Sequence, residues 1–196
     1  LGPNGQGTVF GIDPATSAFI TLHAFAGADG AQPEAGVVEG RDGALLGTTS
    51  RGGADDYGTL FRLEKTGALT TLVSFDGSNG RSPLGELFVD GDGAVYGTTV
   101  AGGASGQGTV FRLSPGGAFA TLHSFDGNDG AQPFTRLASA PDGLLYGVTA
   151  NQVYVVSRDG TVSSALLWLN FTNTLLVADD GRLYGANTYG PGGFAM

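Results

Sequence analysis

Three short blocks of sequence recur along this chain in a fixed order, and this repetition constrains the fold more than any other feature. One block reads Gly-Thr-Val-Phe or a close variant, a second Thr-Leu-His-Ser-Phe, and a third begins with Asp-Gly. The third block starts at Asp42, Asp92, Asp142 and Asp180, at intervals of 50, 50 and 38 residues. The first block occurs at 7–10, 58–61 and 108–111, and the second at 21–25, 71–75 and 121–125. Repetition at such periods is the signature of repeat architectures.

Each repeat is expected to form four short antiparallel strands, which we label a to d. Strand a precedes the Asp-Gly pair, strand b follows it, and strands c and d carry the first and second blocks. Apolar residues alternate with small or polar ones, as in half-buried strands, and no stretch shows helical periodicity. The Asp-Gly pairs fit tight hairpin turns. The predicted fold class is therefore all-β, and four strands per repeat predict a β-propeller.

The phase of the repeats predicts how the two ends of the chain are used. Complete repeats cover about 26–75, 76–125 and 126–170, whereas 1–25 supplies only strands c and d and 171–196 only strands a and b. We expect one domain, 1–196, with four blades of four antiparallel strands, in which the terminal pairs complete the last blade. Such closure removes free sheet edges. The alternative is an arc of a larger ring with six to eight blades.

Composition excludes several classes of protein. The chain has no cysteine, so a disulfide framework, a zinc finger and a cysteine hydrolase are ruled out. Its formal net charge is −9, from 9 basic and 18 acidic residues, which disfavours nucleic-acid binding. No apolar run approaches the length of a membrane span, so we expect no membrane insertion. The chain begins with Leu1 and shows no signal peptide, which predicts a processed product.

The repeat unit also resembles a known family. Gly-Thr-Val-Phe-Arg-Leu, Thr-Leu-His-Ser-Phe-Asp-Gly and Asp-Gly-x-Leu-Tyr-Gly are similar to the GloVer tandem repeat of bacterial choice-of-anchor surface proteins, and 108–149 matches it best. The resemblance implies an extracellular or surface-anchored propeller and brings no catalytic residues with it. The last copy departs from the pattern, because Asn151-Gln152-Val153-Tyr154 replaces Gly-Thr-Val-Phe, and no anchor segment is present.

Loop lengths indicate where a ligand would bind. The b–c loops (50–57 and 100–107) and the d–a loops (27–32, 76–82 and 126–132) are long and should share one end of the propeller, here called the long-loop face. The a–b and c–d turns are short and should share the opposite end, the short-turn face. Long loops on a rigid scaffold are the usual place for a binding site.

The last repeat shortens two of the long loops, which predicts a notch in the long-loop face. Its expected lining combines aromatic, amide and guanidinium groups, which suit a sugar or peptide ligand. Degeneration of a terminal repeat, with the single tryptophan in the core, explains the same pattern. The predicted lining consists of Phe134, Arg136, Asn151, Gln152, Trp168, Asn170 and Asn173.

A charged patch at Arg51, Asp55, Asp56 and Tyr57 breaks the repeat pattern on the same face. Its two carboxylates could support acid–base chemistry on a glycoside, although adjacent loop residues seldom oppose each other across a substrate. We therefore expect a secreted or surface-exposed module that binds a glycan or protein, as a monomer. A carbohydrate-active enzyme, hydrolase or lyase, is the alternative, and a purely structural repeat is the third possibility.

The remaining polar motifs are expected to serve the fold. His23 and His123 occupy equivalent positions on strand d, where packing or hydrogen bonding is the simpler role. The acidic loop 126–130 superficially resembles a calcium loop, but it lacks the later ligands and the closing Glu of an EF-hand. A turn explains it better. No metal site and no cofactor are predicted.

Overall fold

The computed structural model describes residues 2–149, 152–168 and 175–185, and all regular elements in these ranges are β-strands. The first ten are β1 (Thr8–Ile12), β2 (Phe19–Ala24), β3 (Val38–Glu39), β4 (Leu45–Thr49), β5 (Thr59–Leu63), β6 (Leu69–Ser74), β7 (Phe88–Val89), β8 (Val95–Thr99), β9 (Thr109–Leu113) and β10 (Phe119–Ser124). The others are β11 (Ala138–Ser139), β12 (Leu145–Val148), β13 (Gln152–Val156), β14 (Val162–Trp168), β15 (Leu176–Val177) and β16 (Leu183–Tyr184). The all-β prediction is confirmed.

The strands form three four-stranded antiparallel sheets, each with its strands in chain order. Sheet 1 is β3-β4-β5-β6, sheet 2 is β7-β8-β9-β10 and sheet 3 is β11-β12-β13-β14. The end segments form two-stranded sheets, the N-terminal hairpin β1-β2 and the C-terminal hairpin β15-β16. In each four-stranded sheet the short first strand corresponds to strand a and the last to strand d, as the repeat pattern predicts.

The Asp-Gly pairs form the a–b turns for a simple local reason. The Asp42 carboxylate accepts the Ala44 backbone N–H at 3.2 Å, and Gly43 has φ +81°, a left-handed conformation that glycine adopts without steric cost. The same aspartate-to-backbone bond recurs at Asp92, Asp142 and Asp180. The turn chemistry read from the sequence is therefore confirmed.

Apolar side chains pack between successive sheets. One cluster joins the N-terminal hairpin to sheet 1, a second joins sheets 1 and 2, a third joins sheets 2 and 3, and a fourth joins sheet 3 to the C-terminal hairpin. The sheets thus pack face to face in chain order. Each sheet buries both of its faces, so one repeat alone would leave apolar surface exposed.

The N-terminal hairpin has one uncovered apolar face. Phe10 and Ile12 are 52% and 60% exposed, whereas the equivalent Phe61 and Leu63 in sheet 1 are fully buried. Phe19, on β2, is 60% exposed and stacks on Phe10 with the ring centroids 5.0 Å apart. At the other end, Tyr184 of the C-terminal hairpin is 49% exposed. Within the described ranges, each hairpin remains a separate two-stranded sheet.

The long loops are joined by backbone hydrogen bonds. The N–H of Ala31 donates to the carbonyl of Arg51 at 2.8 Å, and Arg51 N–H donates back at 3.0 Å. An equivalent pair joins Arg81 to Ala101. These bonds bring a d–a loop and the following b–c loop together, as expected for the long-loop face. No helix with the length and apolarity of a membrane span occurs in residues 2–149, 152–168 and 175–185.

Candidate functional site

The predicted notch lies partly outside the residues that the structure describes. Asn151, Asn170 and Asn173 lie outside the described residues. Trp168 ends strand β14, but its side chain is also outside the described part of the structure. The notch therefore remains a prediction, and the described geometry concerns Phe134, Arg136 and Gln152.

Gln152 is 7% exposed and lies under a d–a loop. It takes the place of Thr59 and Thr109, which in sheets 1 and 2 hydrogen-bond a threonine of strand b at 2.9 and 2.8 Å. The Gln152 amide lies so close to Gly130 that a Cβ on that glycine would sit 2.8 Å from Nε2. Its position is explained by packing of the loop onto the sheet.

Arg136 lies on a cavity between the first strands of successive sheets. The cavity has a volume of about 240 Å³. The Arg136 side chain is exposed, and its guanidinium carbon lies 5.9 Å from the centre of the Phe88 ring. Phe134, two residues earlier, is half-buried and does not contribute to the wall. The lining comprises Phe88, Arg136, Leu137, Ala138, Ser139, Leu175, Leu176 and Val177.

The electrostatics of this cavity are set by Arg136. No carboxylate in the described part of the chain pairs with its guanidinium, and the other lining residues carry no charge. An arginine over an aromatic face keeps its fork of N–H donors free while its planar group stacks on the ring. The arrangement can therefore bind an anionic or hydroxyl-rich ligand against an apolar wall.

The residues of the predicted charged patch are exposed on the b–c loop between β4 and β5. The Arg51 guanidinium lies 3.5 Å from the Asp56 carboxylate, and both side chains are more than 60% exposed. The other Asp56 oxygen accepts the Gly52 N–H at 2.8 Å, which holds the b–c loop in its turn. Exposed ion pairs of this kind contribute little to stability. Asp55 is exposed beside this turn.

Tyr57 contacts an arginine that the sequence analysis did not select. The guanidinium carbon of Arg81 lies 5.8 Å from the centre of the Tyr57 ring. Arg81 replaces the alanines found at Ala31 and Ala131, so it also breaks the repeat. The departure from the repeat that identified Tyr57 therefore also identifies its partner. Phe88 likewise stands where the other sheets have Val38 and Ala138.

The two histidines form equivalent pairs with aspartates. His23 Nε2 lies 2.8 Å from Asp29 Oδ2, and His123 Nε2 lies 2.6 Å from Asp129 Oδ2. Burial alone would raise the pKa of Asp29, but hydrogen bonds from the Ala26 N–H and His23 outweigh it and hold that pKa below its ordinary value. These contacts bear out the hydrogen-bonding role expected for the histidines.

The acidic loop 126–130 is a turn, as predicted. The Asp126 carboxylate accepts the backbone N–H of Asn128 at 2.8 Å and of Asp129 at 3.3 Å, and these bonds lower its pKa. Among the described residues, no three His, Asp or Glu side chains are grouped so that they could hold a metal ion.

The stack of antiparallel four-stranded sheets, with long loops sharing one face, defines a β-propeller-like repeat protein. The chain belongs to the Gloeobacter/Verrucomicrobia repeat family, which it matches over residues 1–166. The family resemblance predicted from the sequence is thereby confirmed. No curated protein sequence matches the chain.

Solved structures similar to this chain are also propeller-like. The extracellular domain of a hybrid two-component system from B. thetaiotaomicron matches with a TM-score of 0.68 and 15% identity, over 94% of this chain and 24% of that one. Virginiamycin B lyase from Staphylococcus aureus matches with a TM-score of 0.65 and 12% identity, over 94% of this chain and 64% of that one. A protein described as a putative gluconolactonase matches with a TM-score of 0.58 and 16% identity, over 88% of this chain and 61% of that one. The chain thus spans less than two thirds of the length of these two proteins.

Proposed function

We propose that this chain is a secreted or cell-surface propeller module that binds a glycan or protein ligand on its long-loop face. The observation that carries the proposal is Arg136, whose guanidinium has no carboxylate partner among the described residues and stacks on Phe88 at the edge of a cavity of about 240 Å³. Its family and its likeness to an extracellular sensor domain support the extracellular location. We expect a monomer that does not bind nucleic acid.

Arg136 and its surroundings favour a ligand that combines an anionic or hydroxyl group with an apolar face. A sugar ring has this character, because its hydroxyls accept and donate hydrogen bonds while its C–H face packs on apolar side chains. A protein ligand with the same character would be an acidic segment that also carries an aromatic or aliphatic side chain. The charged patch at Arg51, Asp55, Asp56 and Tyr57 is a second, separate part of the proposed binding surface, on the long-loop face.

Calorimetric titration with neutral and acidic oligosaccharides tests this proposal. We expect at least one acidic oligosaccharide to bind at millimolar concentration, and Arg136→Gln to weaken that binding about tenfold, as for loss of one hydrogen bond to a charged group. Arg182→Gln is the matched control, because Arg182 is 78% exposed and pairs with Asp180 on a short turn. Absence of all glycan binding, or equal loss in both variants, would contradict a glycan site at Arg136.

The proposal includes completion of a fourth blade by the two hairpins of one chain. By repeat position, β16 corresponds to β4 and β1 corresponds to β5, which pair in sheet 1 with Gly47 opposite Phe61. The same register would place Gly185 opposite Phe10. It would also place the exposed Phe10, Ile12 and Phe19 against sheet 3. The uncovered apolar face and the two free strand edges both support this composite blade.

A carbohydrate-active enzyme acting at the same face is the second candidate. The observation that favours it is Asp55, an exposed carboxylate beside the Arg51–Asp56 pair on the long-loop face. An enzyme of this kind would cleave an oligosaccharide, and Asp55→Asn would abolish cleavage without reducing binding. A binding module would retain the ligand intact, and Asp55→Asn would leave the affinity within about twofold, as for most surface substitutions.

A further inference from the structure

A second cavity lies on the opposite, short-turn face, between sheets 1 and 2. Its volume is about 290 Å³. The a–b turn of sheet 1 and the c–d turn of sheet 2 form its rim. Its lining includes Arg41, Leu46, Leu72, Val95, Leu113 and Pro115. We call it the short-turn cleft.

The floor of the cleft belongs to the apolar core. Leu46, Val95 and Leu113 are 7%, 3% and 6% exposed and belong to the cluster that joins sheets 1 and 2. Leu72 packs against the same cluster. The core between these two sheets therefore opens to solvent at this point.

The next junction along the chain is closed by an ion pair. Between sheets 2 and 3, Arg158 reaches from a c–d turn to an a–b turn, where its Nε donates to Asp90 Oδ2 at 2.6 Å. The same guanidinium also donates to the carbonyl of Gly143 and to Ser139. This arginine spans the groove that would otherwise separate the two turns.

Both members of that ion pair are replaced at the junction of sheets 1 and 2. Matching turn hydrogen bonds make Pro115 the counterpart of Arg158, and Gly40 the counterpart of Asp90. Neither replacement can form a salt bridge. The cleft is open because the groups that close the neighbouring junction are missing here.

Arg41 provides a cation on the rim. Its aliphatic stem lies over the a–b turn of sheet 2, where a Cβ on Gly93 would sit 3.3 Å from Arg41 Cδ. No carboxylate among the described residues pairs with it. The other cleft-lining arginine, Arg62, is already bound to Asp42 at 2.7 Å and to Glu64. Arg41 is therefore the group available to an anion.

We propose that the short-turn cleft binds an aliphatic monocarboxylate, with its hydrocarbon chain against the leucine and valine floor and its carboxylate on Arg41. An apolar floor with a few placed polar groups is the usual composition of a small-molecule site, and this volume is close to the lower limit for such sites. The lining also contains the carboxylates of Asp42 and Asp92, which lie 2.7 Å from Arg62 and 3.9 Å from Arg112. Arginine matches a carboxylate through two parallel N–H donors. The site is independent of the ligand proposed for the long-loop face.

Octanoate is the probe, with acetate and octanol as the chain-free and charge-free comparisons. We expect octanoate to bind at millimolar concentration and to shift the methyl NMR signals of Leu46, Leu72, Val95 and Leu113. Octanol should bind about tenfold more weakly because it lacks the carboxylate. Acetate should bind more than about a hundredfold more weakly because it lacks the methylenes that pack on the floor. Arg41→Gln should weaken octanoate binding about tenfold, in line with loss of a charge-assisted hydrogen bond. Arg182→Gln, at an exposed arginine outside the cleft, should leave it unchanged.

A second variant, which rebuilds the neighbouring ion pair at this junction, should block the cleft. Gly40→Asp combined with Pro115→Arg should span the cleft as Asp90 and Arg158 do, and octanoate binding should be lost. Pro115→Arg alone, which adds no side chain at Gly40, is the fallback if the double variant does not fold. Failure of octanoate to bind the parent protein, or equal binding to the parent, Arg41→Gln and a folded closing variant, would overturn the proposal. The latter result would indicate adhesion to another apolar surface.

Discussion

The ring of Phe61 lies directly against the backbone of Gly47, so close that a Cβ on the glycine would sit 2.5 Å from the phenylalanine Cζ. The two residues face each other on β5 and β4. The arrangement recurs with Phe111 over Gly97 in sheet 2. In both sheets the glycine backbone of strand b thus packs against an aromatic ring of strand c. This repeated contact determines how closely the two strands pack.

Gly47→Ala should destabilise the fold by about 1–3 kcal/mol, because the added methyl overpacks a buried ring. Gly11→Ala is the control, since no described residue lies within 4 Å of a Cβ at that half-buried strand position. Urea unfolding of both variants measures the difference. Equal stability of the two variants would contradict the packing described for Phe61.

Tyr154 takes the place of Phe61 in sheet 3, and its hydroxyl is buried without a hydrogen-bond partner in the described part of the chain. Burial raises the pKa of this hydroxyl. Tyr154→Phe should therefore stabilise the protein by about 1 kcal/mol, the lower end of the cost of an unsatisfied buried polar group. The reverse change at the matched site, Phe111→Tyr, should destabilise it. Loss of stability in Tyr154→Phe, seen as a lower Tm, would show that the hydroxyl has a partner.

The Asp90–Arg158 ion pair should make stability depend on pH. The Arg158 hydrogen bond lowers the pKa of Asp90, although burial opposes this. A lowered folded-state pKa means that the contribution is present above the ordinary value of about 3.9 and is lost as the pH falls through the folded value. Asp90→Asn should lower the free energy of unfolding by about 1–2 kcal/mol near neutral pH and should leave it unchanged in strong acid. A cost that is the same at both pH values in urea unfolding would contradict this account.

The His–Asp pairs should be energetically coupled. Val73 and Asn79 stand 50 residues before His123 and Asp129, at the equivalent repeat positions, so both members of the pair differ together. In a double-mutant cycle, His123→Val and Asp129→Asn should each lose about 1 kcal/mol, while the double variant should lose distinctly less than the sum. Strict additivity of the unfolding free energies would show that the 2.6 Å contact contributes nothing.

The sequence predicted the features that the repeat itself encodes. The strand order within each sheet and the Asp-Gly turns follow from local chemistry, since Asp42 and Gly43 need only their immediate neighbours to form the turn. Departure from the repeat drew attention to Tyr57, whose ring has the Arg81 guanidinium over it, and the predicted notch included Arg136, whose guanidinium lies over Phe88. Their roles in binding remain predictions.

Contacts between sheets could not be predicted in the same way. Gln152 was placed in a notch because its loop is short, but its amide packs under Gly130. The Asp90–Arg158 bridge joins residues 68 positions apart, and the short-turn cleft exists only where that bridge is missing. Such features depend on how two sheets pack, and no single segment of sequence contains that information.

The most direct measurement concerns the composite blade formed by the two hairpins. In the register of sheets 1 and 2, Tyr184 would lie opposite Gly11, and the chain has no cysteine of its own. Gly11→Cys combined with Tyr184→Cys should oxidise to an intrachain disulfide at monomer mass, as seen by non-reducing electrophoresis and mass spectrometry. Ile20→Cys with Tyr184→Cys should not, because those positions would be two strand spacings, about 9.5 Å, apart, beyond the reach of a disulfide. Free thiols, or disulfides that form only between two chains, in the Gly11–Tyr184 pair would contradict closure within one chain.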